Sequence, residues 1–209
     1  MNDMNRYNSE NEEFWENAYL TNNIGWDIGA PTPIFNKWIE NLDGCYKICV
    51  LGAGNGWDAI NFAKFGHLVT AVDFSNHAVE SMKNLSKINN VQLDIIKSNI
   101  FNLDKKFKNY FDFIIEYTCY CAILPKDRNN YINLSNSLLK SNGKIVAILF
   151  PLDKSIDMPG PPYGINLKKT IKMFSKYFEV EFCKYSSLSI KPRINKEKFI
   201  IFKKIENNI

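Results

Sequence analysis

Long apolar runs are missing where a leader or a membrane anchor would carry one. The opening stretch MNDMNRYNSENEE is polar and acidic, so neither a signal peptide nor a membrane span is expected, and a cytoplasmic location without a membrane partner is the default. Histidine is scarce, with only His67 and His77. The five cysteines, Cys45, Cys49, Cys119, Cys121 and Cys183, form no CxxC pair. That pattern argues for a reducing compartment and against a structural zinc site, so no metal is expected. Strong charge is lacking too. A formal +4 over 209 residues falls short of the basic stripe of a nucleic-acid binder. Lys168, Lys169 and Lys172, with the basic C-terminal segment, read as solubility and edge protection. There is no internal repeat, and the length suits one domain, 1–209, with one sizeable core.

What is present is organised around residues 49–59, CVLGAGNGWDA. An apolar strand ends there in Gly52, Gly54 and Gly56, and a helix-like segment follows at once. Glycine allows a sharp turn and a close backbone approach, and the next helix aims unpaired N–H groups at whatever binds. This is the signature of a nucleotide-type cofactor site. In the dinucleotide fingerprint GxGxxG a third glycine lets helix and strand pack closely. Trp57 stands at that position here. Asp73 closes the next strand, 21 positions beyond Gly52, where a carboxylate accepts both ribose hydroxyls.

Along the chain, 1–11 reads as a disordered tail. Residues 12–43 carry two short helices, the first with Phe14, Trp15, Ala18 and Tyr19 at helical spacing. The second, 34–42, has Phe35, Trp38, Ile39 and Leu42 on one face, with Trp38 read as cover for a core edge. Strands are expected at 46–51, 68–73, 91–97, 110–117, 143–150, 178–185 and 198–204. Helices are expected at 57–65, 75–88 with Ser75 as its cap, 126–139 and 167–178. Strands alternating with helices mean a parallel sheet covered on both faces, and the two consecutive closing strands must pair antiparallel.

The fourth strand runs into EYTCYCAILP, and ligands of open α/β sheets sit at the carboxyl ends of the strands. Glu116, Tyr117, Tyr120 and Cys121 are therefore placed near the chemistry. Cys119 and Cys121 alternate, so only one faces the pocket if strand geometry continues. Asn99, after the third strand, lies at the same edge. Both histidines read as surface residues.

A glycine turn followed by a terminal antiparallel hairpin resembles the class I S-adenosylmethionine-dependent methyltransferases. FWENAY, WDIGAPTP, GAGNG, EYTCYCAILPKDRNNY and GPPYGI, in this order over residues 12–165, further resemble the thiopurine methyltransferase superfamily, especially its thiol and halide methyltransferase branch. The resemblance implies an α/β, Rossmann-like doubly wound sheet of seven mostly parallel strands, with an antiparallel C-terminal hairpin (core 44–209) and an N-terminal helical lid (12–43). It implies S-adenosylmethionine as cofactor and S-adenosylhomocysteine as product. Trp15 and Trp26 would line the sulfonium and substrate region. Gly52, Gly54, Gly56 and Asp73 would hold methionine and ribose, with Phe74, Asn99, Ile100, Glu116 and Tyr117 completing the cofactor set. Asn99 stands at the level where the methyltransferases that this chain resembles offer a side-chain acceptor to the adenine amino group. Tyr120, Arg128 and Tyr163 form the candidate catalytic group. Tyr163 would border the acceptor, Arg128 is open between substrate contact and a structural ion pair, and Tyr120 or Glu116 could take a thiol proton. The expected acceptor is a small soft nucleophile, with thiol or hydrosulfide ahead of halide, met by a monomer or homodimer. A larger heterocyclic thiol, a hydroxyl acceptor and a non-catalytic S-adenosylmethionine-binding module are the alternatives.

Overall fold

The computed structural model describes residues 9–103 and 106–206. Most of the expected tail, residues 1–8, therefore lies outside the described residues. Its last part does not behave as a tail: Ser9 is buried, and its hydroxyl donates to the Ala122 carbonyl at 3.0 Å.

Two short helices come first, α1 (Glu12–Leu20) and α2 (Pro33–Ile39). The alternating core follows as β1 (Lys47–Leu51), α3 (Trp57–Lys64), β2 (Leu68–Asp73), α4 (Asn76–Ile88), β3 (Asp94–Lys97), β4 (Phe111–Tyr117), α5 (Arg128–Leu138), β5 (Leu139–Leu149), α6 (Leu167–Phe174), β6 (Phe178–Lys184) and β7 (Lys198–Lys204). The strands form one sheet in the order β3-β2-β1-β4-β5-β7-β6. β1 to β5 are parallel, and β7 lies antiparallel between β5 and β6. The order reverses between β1 and β4, and the crevice at such a switch point is where doubly wound sheets bind ligands.

Side chains of period two send each central strand into two cores. One face carries Cys49, Leu51, Ile114, Ala147 and Phe202 against Tyr131 and Leu138 of α5 and Phe174 of α6. The other carries Ile48, Val50, Ile115 and Ile148 against Phe35 of α2, Phe62 of α3 and Met82 of α4. Trp38 meets Phe113 edge-on at 5.1 Å and does cover a core edge.

Several boundaries differ from expectation for local reasons. β3 pairs with β2 only from Asp94 onward, so 91–93 stay outside the sheet. β5 begins at Leu139 because Leu139 already pairs with Phe111 of β4. His67 is buried rather than at the surface: Nδ1 accepts from the Tyr46 amide at 3.3 Å, and burial lowers its pKa. Among the described residues no helix is long and apolar enough to cross a membrane.

Candidate active site

The glycine turn follows β1 with left-handed backbone at all three glycines, φ 63°, 56° and 84° for Gly52, Gly54 and Gly56. A side chain at Gly52 would stand 2.9 Å from the Cys119 sulfur, and one at Gly56 2.4 Å from Met82 Cγ. Gly56 caps α3 and lets it close on α4, so the packing glycine is present, one position before Trp57. Asp73, at the end of β2, accepts from the amides of Gly54 at 2.9 Å and Ser75 at 3.0 Å. Burial raises its pKa against the pull of those amides.

Above this edge lies a cavity of about 780 Å³. Gly52, Gly54, Asp73 and Phe74 form one wall; residues 98–101 continue it. Phe14, Trp15, Tyr19 and Trp26 cover it, the indole of Trp26 standing edge-on to Trp15 at 5.2 Å and to Tyr19 at 5.7 Å. Thr118, Cys119, Cys121 and Ala122 also line it, with Cys119 beside Gly52, as do Phe150, Pro161, Pro162 and Arg193.

The structure thus brings together Trp15, Trp26, Gly52, Gly54, Asp73, Phe74, Asn99 and Ile100. Asn99 is partly committed: its Oδ1 accepts the Phe101 amide at 3.0 Å and caps a 3₁₀ turn. The other expected residues do not line this cavity. Gly56 is occupied by the α3–α4 contact. Glu116 is buried behind the wall, bonded to the Tyr120 amide and the Tyr131 hydroxyl, each at 2.8 Å. Tyr117 turns its hydroxyl to Glu197 at 2.9 Å and its ring beneath Arg193. Tyr120 packs fully buried against Tyr131 and Phe174. Arg128 donates to the carbonyls of Gly164 at 3.1 Å and Tyr163 at 3.3 Å, which makes it the support of the GPPY loop through carbonyls, with neither a cavity contact nor an ion pair among the described residues. Within that loop Pro161 and Pro162, not Tyr163, reach the cavity. Cys119 and Cys121 both line it. β4 has ended at Tyr117, and Thr118 at φ 64° begins a turn, so strand alternation no longer applies.

Three residues escaped the sequence reading. Tyr19 was assigned only a packing face. Asp27 ties the WDIG segment to the glycine loop by accepting from Trp57 Nε1 at 3.0 Å and from Asn55 Nδ2. Arg193 is 4% exposed; its Nη2 donates to the carbonyls of Trp26 at 2.9 Å and Gly25 at 3.2 Å, while its Nη1 is buried with no partner among the described residues. One signal could have found it: a closing strand antiparallel to its parallel neighbour starts at the carboxyl edge, where Lys198 pairs with Leu149. The loop before β7 must therefore return to the ligand side.

A doubly wound sheet with this turn, this acid and this covered cavity is the architecture of an S-adenosylmethionine-dependent methyltransferase. The Burkholderia thailandensis 1,6-didemethyltoxoflavin-N1-methyltransferase, solved with S-adenosylhomocysteine, shares the fold at a TM-score of 0.73 and 16% identity, over 93% of this chain and 87% of its own. The model of the thiopurine S-methyltransferase family matches residues 10–206. The chain belongs to that family and is an S-adenosylmethionine-dependent methyltransferase. It is 30% identical to a probable thiol methyltransferase 2 of Arabidopsis thaliana, over 91% of this chain and 84% of the relative. It is 26% identical to a thiopurine S-methyltransferase of Vibrio atlanticus, over 80% and 82%.

Proposed function

We propose that the chain methylates a small soft nucleophile, a thiolate or hydrosulfide ahead of a halide. The observation that carries this reading is the buried Nη1 of Arg193, a cavity-lining residue, which has no hydrogen-bond partner among the described residues. A buried guanidinium N–H without an acceptor calls for an anion. The relative named for thiol methylation supports the same class, as does a thiocyanate methyltransferase 1 of Arabidopsis thaliana, 26% identical over 73% of this chain and 67% of its own.

The residues present fit the cofactor. Asp73, buried at the end of β2, would take the ribose hydroxyls, Gly52 and Gly54 would meet the methionine moiety with their left-handed backbone, and residues 98–101 would hold the adenine. When bound, S-adenosylmethionine supplies a methyl group on a sulfonium, open to in-line displacement. Trp15 and Trp26 offer aromatic faces to that cation, each worth roughly 0.5 to 2 kcal/mol. Arg193 holds the acceptor's negative charge, and Phe150 with the two prolines keeps water from it. The wall thiols stay protonated, since burial pushes Cys121 up to about 12 and Cys119 well above the ordinary thiol value. Catalysis by positioning suffices for such a nucleophile, because effective molarities of about 10⁵ M or more are available to aligned reactants. Residues 12–43 act as a lid over this site, and the five free cysteines suit a reducing cytoplasm.

Headspace gas chromatography after incubation with S-adenosylmethionine tests the reading. Hydrosulfide, methanethiol and iodide should give the methylated volatile. Turnover of a heterocyclic thiol with silence on all three would overturn it.

A further inference from the structure

Behind the cavity wall lies a buried carboxylate that the reaction as described leaves unused. Glu116 is 2% exposed. Its Oε1 accepts the Tyr120 amide and its Oε2 the Tyr131 hydroxyl, both at 2.8 Å. The first of these bonds falls at the start of a helical turn. The amides of Ala122 and Ile123 bond back to the Cys119 carbonyl at 2.9 and 3.2 Å, which leaves the turn's first amides without partners inside it. A carboxylate there does what an N-cap side chain does for a helix, and the negative charge adds to the bond. Five residues of this segment, Thr118, Cys119, Cys121, Ala122 and Ile123, line the cavity.

We propose that Glu116 is a positioning residue whose buried carboxylate caps the turn over residues 119–123 and thereby fixes the wall against which cofactor and acceptor lie. The inference rests on the methyltransferase reading of the cavity, not on the identity of the acceptor. The titratable and charged groups facing Glu116 are Tyr131 and Arg128 from α5 and Cys119, Tyr120 and Cys121 from the turn, with Cys49 of β1 behind Cys119. Burial keeps the thiols and phenols neutral through the physiological range. Desolvation pushes Glu116 up to about 7, against the pull of the Tyr120 amide, the Tyr131 hydroxyl, the Cys119 amide and the Arg128 guanidinium. Protonation turns one accepting oxygen into a donor and loosens the cap. Activity should therefore fall as pH falls through that value. Fold stability moves the opposite way, because a carboxyl with a raised folded pKa adds stability at low pH that is lost as pH rises through that pKa. A side chain that only held the fold together would move both together.

The test is calorimetric binding of S-adenosylhomocysteine between about pH 5.5 and 8.5, alongside turnover of thiocyanate, whose anion does not titrate in that range. The wild type should lose affinity several-fold toward acid with a midpoint near 7, and Glu116→Gln should remove that limb. Tyr131→Phe, which takes away one donor to the ionised form, should move the midpoint to higher pH, and it serves if the Gln variant fails to fold. A flat wild-type profile, or a limb that persists in Glu116→Gln and so belongs to another group such as Asp73, overturns the proposal. Silence on hydrosulfide, methanethiol and iodide with the binding limb intact sinks the acceptor assignment and leaves Glu116 in its role.

Discussion

The indole N–H of Trp57 points at the Asp27 carboxylate, 3.0 Å from Oδ1 and 3.3 Å from Oδ2. Asp27 also receives Asn55 Nδ2 and the Gly29 amide, the latter at 2.6 Å. One carboxylate thus fastens the segment that carries Trp26 to the loop that approaches the cofactor. Hydrogen bonds to a charged group contribute about 1.5 to 3 kcal/mol each. Asp27→Ala should therefore weaken S-adenosylhomocysteine binding by roughly tenfold or more in calorimetry, at about 1.4 kcal/mol per decade. Affinity within twofold of wild type would break the proposed link.

The parts of the site legible in the sequence are those set by neighbouring residues. Gly52, Gly54 and Asp73 were readable because a glycine turn after an apolar strand and an acid at the next strand end are short-range patterns; β2 occupies the expected 68–73. The EYTCYC segment was not readable in detail. Its side-chain directions hinge on Thr118, a threonine in left-handed backbone, which no propensity indicates. That single residue sends Tyr120 into the core and both cysteines to the cavity. Arg193 depends on β7 slotting between β5 and β6, a tertiary event. The antiparallel partners were foreseen, but not the order in which they insert.

Substitution of Arg193 should separate acceptor binding from cofactor binding. Arg193→Met removes the free Nη1 donor together with the two carbonyl bonds of Nη2. For an anionic acceptor the loss of a charge-assisted bond predicts a fall in kcat/KM of roughly a hundredfold. Affinity for S-adenosylhomocysteine should change far less, through Trp26 alone. Arg193→Lys should recover part of the acceptor KM. An equal loss in both measurements would place the guanidinium on the cofactor rather than on the acceptor.

Asp58 links stability to pH. It is half-buried, with Oδ1 and Oδ2 accepting the Thr32 amide at 2.7 Å and the Thr32 hydroxyl at 2.8 Å. Desolvation pushes its carboxyl up to about 6, opposed by the two Thr32 bonds. With the folded pKa above the unfolded one, the contribution is complete below the ordinary aspartate value and lost as pH rises through about 6. Asp73, Glu116 and Glu197 are raised by burial in the same direction. Thermal denaturation should therefore show greater stability on the mildly acid side than at slightly alkaline pH. Asp58→Asn, which avoids the half-buried charge, should flatten part of that slope. A midpoint that rises steadily from acid to alkaline pH contradicts the assignment.

The α1 helix is held to the cofactor edge by its acidic face. Glu16 accepts the Asn76 amide and pairs with His77 Nδ1, and Glu12 meets Lys97 at 3.0 Å. The His77 ring lies parallel to Tyr19 with centroids 6.1 Å apart, and Tyr19 in turn stands edge-on to Trp26. Burial pushes the Glu16 carboxyl up, but the bonds to His77, the Asn76 amide and Ser75 outweigh it and hold it below the usual glutamate value. A lowered folded pKa means that the contact is fully formed above the ordinary glutamate pKa and weakens as pH falls below it. Glu16→Gln and His77→Ala should each weaken S-adenosylhomocysteine binding several-fold through the aromatic cover. Stability should change by no more than about 1 kcal/mol, since both side chains sit near the surface. Unaltered cofactor affinity in both variants would mean that the cover keeps its place without this latch.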